Sequence, residues 1–138
     1  EEFSVVVPPG VESGEMIRLA GAGEAMSHGA SGDLYIKIHV ESHPVFRREG
    51  PNLLMTLPIK LTDALLGDVY TINTLDGEVK LHVPSGIPSG EVLRVEGKGV
   101  VLGKGRRGDL LVRIQVTLPK KLSKSARAAI EKLREEGI

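Results

Sequence analysis

The sequence predicts a mainly β fold: two tandem small β-sandwich-like subdomains, the first incomplete, followed by a C-terminal helix. Three observations predict it: a glycine-marked internal repeat, apolar residues alternating at period two, and one amphipathic stretch at the end.

The repeat comes first. Val7–Val40 aligns without gaps on Val83–Val116, a shift of 76 positions. Val7-Pro8-Pro9-Gly10 faces Val83-Pro84-Ser85-Gly86, and Ser13-Gly14-Glu15 faces Ser89-Gly90-Glu91. Arg18 faces Arg94, Gly21 and Gly23 face Gly97 and Gly99, and Gly29 faces Gly105. Gly32-Asp33-Leu34 faces Gly108-Asp109-Leu110. Glycines held in one register mark turns where φ must be positive or a Cβ would clash. The repeat unit is therefore about 76 residues, and the chain holds one whole unit, 45–120. Residues 1–44 read as the second half of another unit, whose first half would supply strands pairing with 3–7 and 33–40. Residues 121–138 form the helical tail.

Within this frame Leu34, Ile36, Ile38 and Val40 alternate with polar or aromatic neighbours, the mark of a half-buried strand. Leu110, Val112, Ile114 and Val116 repeat the pattern. Leu53, Met55, Leu57 and Ile59 form a further strand, which Pro58 places at an edge. Val69–Thr74 and Glu78–Val83 flank Leu75-Asp76-Gly77, a hairpin signal. Thr62–Gly67 predicts a single helical turn capped by Thr62 and closed by glycine. Ser123 opens a helix over 124–136, with Ala126, Ile130 and Leu133 on one face and Gly137 as terminator.

Composition narrows the function. Aromatics are 3% against 41% hydrophobic residues overall, so Val, Ile and Leu must build the core. Eighteen basic residues balance eighteen acidic ones, which removes any global pull toward nucleic acid or anionic membrane. Cysteine is absent, excluding disulfides and thiolate metal sites within these residues. No apolar run is long enough to span a bilayer. The opening Glu1-Glu2-Phe3 resembles neither a signal peptide nor a natural start, so the chain reads as a fragment.

Motifs that suggest chemistry fail on context. Gly103–Gly108 spells G-x-G-x-x-G, but a strand follows where a phosphate-binding loop requires a helix; it is a turn. Arg107-Gly108-Asp109 matches an adhesion tripeptide by letter, yet its mate Ser31-Gly32-Asp33 keeps only the Gly-Asp, which marks a turn before a strand. Of the histidines His28, His39, His43 and His82, only His39 and His43 have helical metal-pair spacing, and His39 lies in a strand pattern. A structural or surface role is expected. No nucleophile elbow or Ser–His–acid set occurs, and Glu135-Glu136 sits on an exposed helix end, so the chain is not expected to be an enzyme. Arg47-Arg48 and Arg106-Arg107 read as solvated loops, since no aromatic platform for bases accompanies them.

The segment His43-Pro44-Val45-Phe46-Arg47-Arg48-Glu49-Gly50-Pro51-Asn52-Leu53 resembles the H-P-x-F-x-R-x-G-x-[ND]-L linker between the two carboxy-terminal subdomains of DnaJ proteins. Leu66-Gly67, Leu75-Asp76-Gly77, Val83-Pro84, Gly97-Lys98-Gly99 and Gly108-Asp109-Leu110 also fall where that family has them. Arg18-Leu19-Ala20-Gly21 and Gly32-Asp33-Leu34-Tyr35 are most similar to its bacterial or organellar branch.

The resemblance implies a co-chaperone fragment that binds unfolded polypeptide, dimerises, and delivers clients to a DnaK-type ATPase chaperone in the bacterial cytoplasm or an organelle. Phe46 matches the aromatic that lines the client groove from the linker; Phe3 and Val5 match apolar positions on a groove strand. Filling the core is the competing role, as even a choice as the groove for Phe46 and the favoured one for Phe3. Dimer contact is assigned to the helix face of Ala126, Ile130 and Leu133 on spacing. The J-domain with its His-Pro-Asp tripeptide is absent from these residues, so they are not expected to stimulate ATP hydrolysis. No cofactor is expected here, and the family's zinc module would lie upstream of Glu1. Neither nucleic acid nor membrane is expected as a partner.

Overall fold

A computed structural model describes residues 2–21 and 32–138. Gly23, Gly29 and His28, named above, lie outside the described residues. The fold is mainly β with a C-terminal helix, as the sequence predicts.

Strands β1 (Met16–Leu19) and β2 (Leu34–Lys37) form an antiparallel pair. The next sheet collects β3 (Arg47–Glu49), β4 (Asn52–Lys60), β7 (Val92–Val95) and β10 (Leu110–Thr117) in the order β3-β4-β10-β7. β4 and β10 run parallel from Leu53↔Leu110 to Lys60↔Thr117, and β7 lies antiparallel on the far side of β10. Pro58 fits because β3 pairs only with Asn52–Leu54, so past Leu54 the strand has one partner and that edge needs no N–H.

Between β4 and β7 come α1 (Leu61–Leu66) and the ribbon of β5 (Asp68–Thr74) with β6 (Gly77–Val83). The sequence places the α1 cap on Thr62; the structure corrects this. Lys60 is the N-cap residue with no side-chain cap, and its N–H donates to the Tyr70 hydroxyl at 3.3 Å, a partner from outside the helix. Gly67 closes the helix at φ 81°, its N–H donating to Asp63 O. The hairpin turn is one residue shorter than the sequence suggests, because Gly77 pairs with Thr74 and only Leu75-Asp76 remain as loop. Thr74 Oγ1 donates to Gly77 O at 2.8 Å and accepts the Asp76 N–H, giving the turn its local bonds.

β8 (Val101–Gly103) and β9 (Arg106–Arg107) flank Lys104-Gly105, both at positive φ (51° and 73°). The G-x-G-x-x-G stretch is thus a tight hairpin, with no helix after it. α2 (Lys124–Glu135) opens on Ser123, whose Oγ accepts the Ala126 N–H at 3.0 Å, and Gly137 follows at φ 85°.

The core lies in the second unit. Leu53, Met55 and Ile59 of β4 meet Leu110, Val112 and Ile114 of β10, covered by Ala64, Ile72, Leu81 and Val83. Leu110, Val112 and Ile114 are wholly buried, and each such side chain contributes about 1.5–3 kcal/mol relative to exposure.

Among the described residues, bonds of the first copy of the repeat recur in the second. Ile17↔Ile36 in the first pair corresponds to Leu93↔Val112 in the second, 76 positions on. Gly14 N–H donates to Ile38 O and Gly90 N–H to Ile114 O, both at 2.7 Å. Asp33 accepts from the Arg18 guanidinium and the Gly21 N–H; Asp109 accepts from Arg94 and the Gly97 N–H. The Gly-Asp pair is not itself the turn that the sequence suggests: it leads straight into the strand, and its carboxylate ties the strand start to the facing strand end. Those backbone N–H bonds, more than the adjacent guanidinium, hold both carboxyls below the ordinary acid range.

Candidate functional site

Two adjoining clefts meet at the junction of the units, and Phe46, His43 and Leu75 line both. The larger, about 790 Å³, lies between the Pro9–Ser13 loop, Val40 and the Val100-Val101 stretch. The smaller, about 510 Å³, lies between β4 and the β5–β6 turn, over Met55, Leu57 and Ile72.

The Phe46 ring sits where a local device places it. His43 Nδ1 accepts the N–H groups of Val45 (3.0 Å) and Phe46 (3.2 Å), which sets the ring proton on Nε2 and folds the His-Pro-Val-Phe turn. The two rings stand 4.9 Å apart, tilted by 37°. Phe46 is half-buried, one side packed on the core of the second unit and the other lining the clefts, so core and cleft are not alternatives for it.

One wall is the Pro8–Glu12 loop. Gly10 has φ 83°, and a Cβ there would lie 2.2 Å from Val101 O, so only glycine lets the loop lie flat on the second unit. Arg48 fastens it, as Nη1 donates to Val11 O at 3.1 Å and Nη2 stands 3.4 Å from the Glu12 carboxylate. The opposite wall carries Leu75 at the hairpin tip, over half exposed. Its neighbour Asp76 is gripped by Arg107, with Lys98 Nζ at 3.8 Å, while Arg107 Nε donates to Gly99 O. Arg48 and Arg107 are thus not the solvated loop residues the sequence suggests. Their side chains are mostly covered (28% and 23% exposed): Arg48 reaches two backbone carbonyls and the Glu12 carboxylate, while Arg107 reaches Gly99 O and Asp76 and keeps its buried Nη2 without a partner.

Most of the lining area is apolar, and the charged Arg47 and Arg48 are paired with Glu49 and Glu12. Among the described residues no group of three His, Asp or Glu side chains could hold a metal ion. His43 is committed to its own turn and His39 is exposed. The one raised phenol, Tyr70, owes its shift first to burial and then to the hydrogen bond it donates to Asp63, an arrangement that anchors α1. Such a surface suits apolar side chains of a partner; Glu41, Ser42 and His43 also line the larger cleft, but His43 Nδ1 is taken up by its own turn and no hydrogen bond among the described residues links it to Ser42.

Of the other sequence-predicted site residues, Phe3 is 47% exposed and Val5 half-buried. Neither lies in a strand or lines a cleft, so the structure does not bring them to Phe46, and the favoured core role for Phe3 is corrected: no core neighbour covers it. Ala126, Ile130 and Leu133 share a face of α2, a helix with no buried residue; Ala126 is half-buried and the other two are exposed. Sequence reasoning missed Val11, Leu75, Val100-Val101, Arg48 and Arg107. An apolar Leu75 at a turn tip was the available signal, since turn tips otherwise favour polar residues.

A family model for the DnaJ C terminal domain matches residues 1–119. "Chaperone protein DnaJ 2" of Mycolicibacterium paratuberculosis is 47% identical over 130 residues, 94% of this chain and 33% of that protein. "Chaperone protein DnaJ 2" of Nocardia farcinica is 47% identical over 134 residues, 96% of this chain and 35% of that protein. "Chaperone protein DnaJ 1" of Mycobacterium bovis is 46% identical, with 94% and 33% covered. The chain therefore spans about a third of the length of these relatives. No helix among the described residues is long and apolar enough to cross a membrane. With the repeat, the His-Pro-Val-Phe linker and the matched model in agreement, this chain belongs to the DnaJ family, as a form of its C-terminal domain.

Proposed function

We propose that this chain is the part of a DnaJ-type co-chaperone that holds unfolded polypeptide for a DnaK-type ATPase chaperone, in the cytoplasm of a bacterium or in an organelle. The observation that carries the reading is the junction cleft, apolar, open to solvent and built around Phe46. A client segment inserts apolar side chains on either side of the Phe46–Leu75 ridge, with little demand on sequence. The reading needs no cofactor within these residues and no catalytic group; it is binding alone.

Phe3 and Val5 form a second apolar contact on the exposed amino-terminal segment, engaged only when a client arrives. The face of Ala126, Ile130 and Leu133 joins two copies, placing two clefts on one client. Because that face stands exposed along α2, a second reading is a module whose own activity is dimerisation alone.

The test is fluorescence anisotropy of a labelled unfolded polypeptide titrated with the chain and with Phe46→Ala. Saturable binding is expected, weakened roughly tenfold or more by the substitution, since a well-covered Phe contributes about 1.5–3 kcal/mol. A folded chain that binds nothing removes the cleft reading and leaves dimerisation.

A further inference from the structure

We propose that Arg48 is a positioning residue: it fixes the Pro8–Glu12 loop to the second unit and thereby sets the width of the junction cleft. The functional consequence rests on the cleft reading above; the mechanical one does not.

The Arg48 fork spans three groups. Nε donates to Gly50 O at 2.9 Å, inside the second unit's own β3–β4 turn, which orients the guanidinium plane. Nη1 then reaches Val11 O at 3.1 Å and Nη2 faces the Glu12 carboxylate at 3.4 Å. Among the described residues no backbone hydrogen bond joins the loop to the second unit. The rest of the joint is contact, chiefly Gly10 against the Val101 carbonyl. Contact without directed bonds lets a loop slide, whereas a planar fork with one end pinned to a turn does not. The loop in turn carries the first unit's strands: Ser13 Oγ accepts the Val40 N–H, and Glu15 O accepts the Ile38 N–H. A shift at Val11 is thereby passed to Val40, which lines the larger cleft. Lysine would not replace Arg48, because a single ammonium cannot hold Gly50 O and Val11 O in one plane.

Pulsed dipolar spectroscopy tests this in the whole chain, which has no cysteine of its own. Spin labels go on Lys37→Cys in β2 and Lys80→Cys in β6, both exposed and outside the cleft. Arg48→Gln and Arg48→Lys are each expected to widen the distance distribution about twofold, as for units left with only a small contact. An unchanged distribution in either variant overturns the proposal. Should Arg48→Gln lose the circular dichroism of the fold, Arg48→Lys decides alone. The polypeptide titration is then run on the same variants, and binding is expected to weaken roughly tenfold if the closed joint falls to about a tenth of the population. A widened distribution with unchanged binding upholds the latch and removes the cleft as the client site.

Discussion

At Ser13 and Ser89 the hydroxyl accepts the N–H of Val40 and of Val116, at 3.2 Å in both. Gly14 and Gly90 stand at φ 94° and 93°, and Gly21 and Gly97 at 75° and 70°. Residues 7–21 and 32–40 thus match 83–97 and 108–116 closely in their turns, yet their strands meet different fates. Leu110, Val112 and Ile114 are wholly buried, while Leu34, Ile36 and Ile38 are only half-buried. The difference is a neighbour: β10 has β4 alongside it in parallel, whereas β2, among the described residues, pairs with β1 alone. Turn geometry is therefore set within the repeat, and burial is set by a strand from elsewhere in the chain.

The largest difference between the two stretches is expected at their strands. Ile114→Ala should cost about 2–5 kcal/mol in urea unfolding, as for a filled core site, while its mate Ile38→Ala should cost well under half as much. Equal losses would mean that β2 is covered as fully as β10.

The turns should instead respond alike. A Cβ at Gly14 or Gly90 meets nothing within 4 Å, so the cost of alanine is backbone strain alone. We expect about 1–2 kcal/mol for each of Gly14→Ala and Gly90→Ala, and a clear inequality would show the two turns to be independent designs.

The smallest effect is acid dependence. Asp33 and Asp109 both titrate below the ordinary value of 3.8, each held there first by a glycine N–H. A carboxyl depressed on folding adds stability above its unfolded pKa and loses it as pH falls through the folded one. Stability should therefore decline from about pH 4 downward, and Asp33→Asn and Asp109→Asn should each flatten that decline by a similar, modest amount, both groups being solvent-screened. Urea midpoints at neutral and acid pH check this; a steep effect of one substitution alone would separate the units.

Much of this was legible in advance because it is local. Gly10, Gly14 and Gly21 announce their turns, Ser123 its helix, and Pro58 its open edge. Thr62 misled because a cap was sought within the helix, whereas Tyr70 supplies the bond from the next strand. Arg48 and Arg107 misled for a related reason: their partners, Val11 and Asp76, lie far along the chain, and a basic pair in isolation looks solvated. The cleft was half visible. Phe46 stood in a recognisable linker, but Leu75 and Val100-Val101 reach it only through the fold.

The parallel pairing of β4 with β10 has a consequence for synthesis. The partner of Leu53 is Leu110, so β4 leaves the ribosome long before the strand that covers it exists. Until β10 emerges, the edge of β4 that it pairs with is open and Leu53, Met55 and Ile59 lack the packing of Leu110, Val112 and Ile114, and non-local closure of this kind is intrinsically slow. During that interval the nascent chain exposes apolar side chains of the kind that the proposed client cleft would take up.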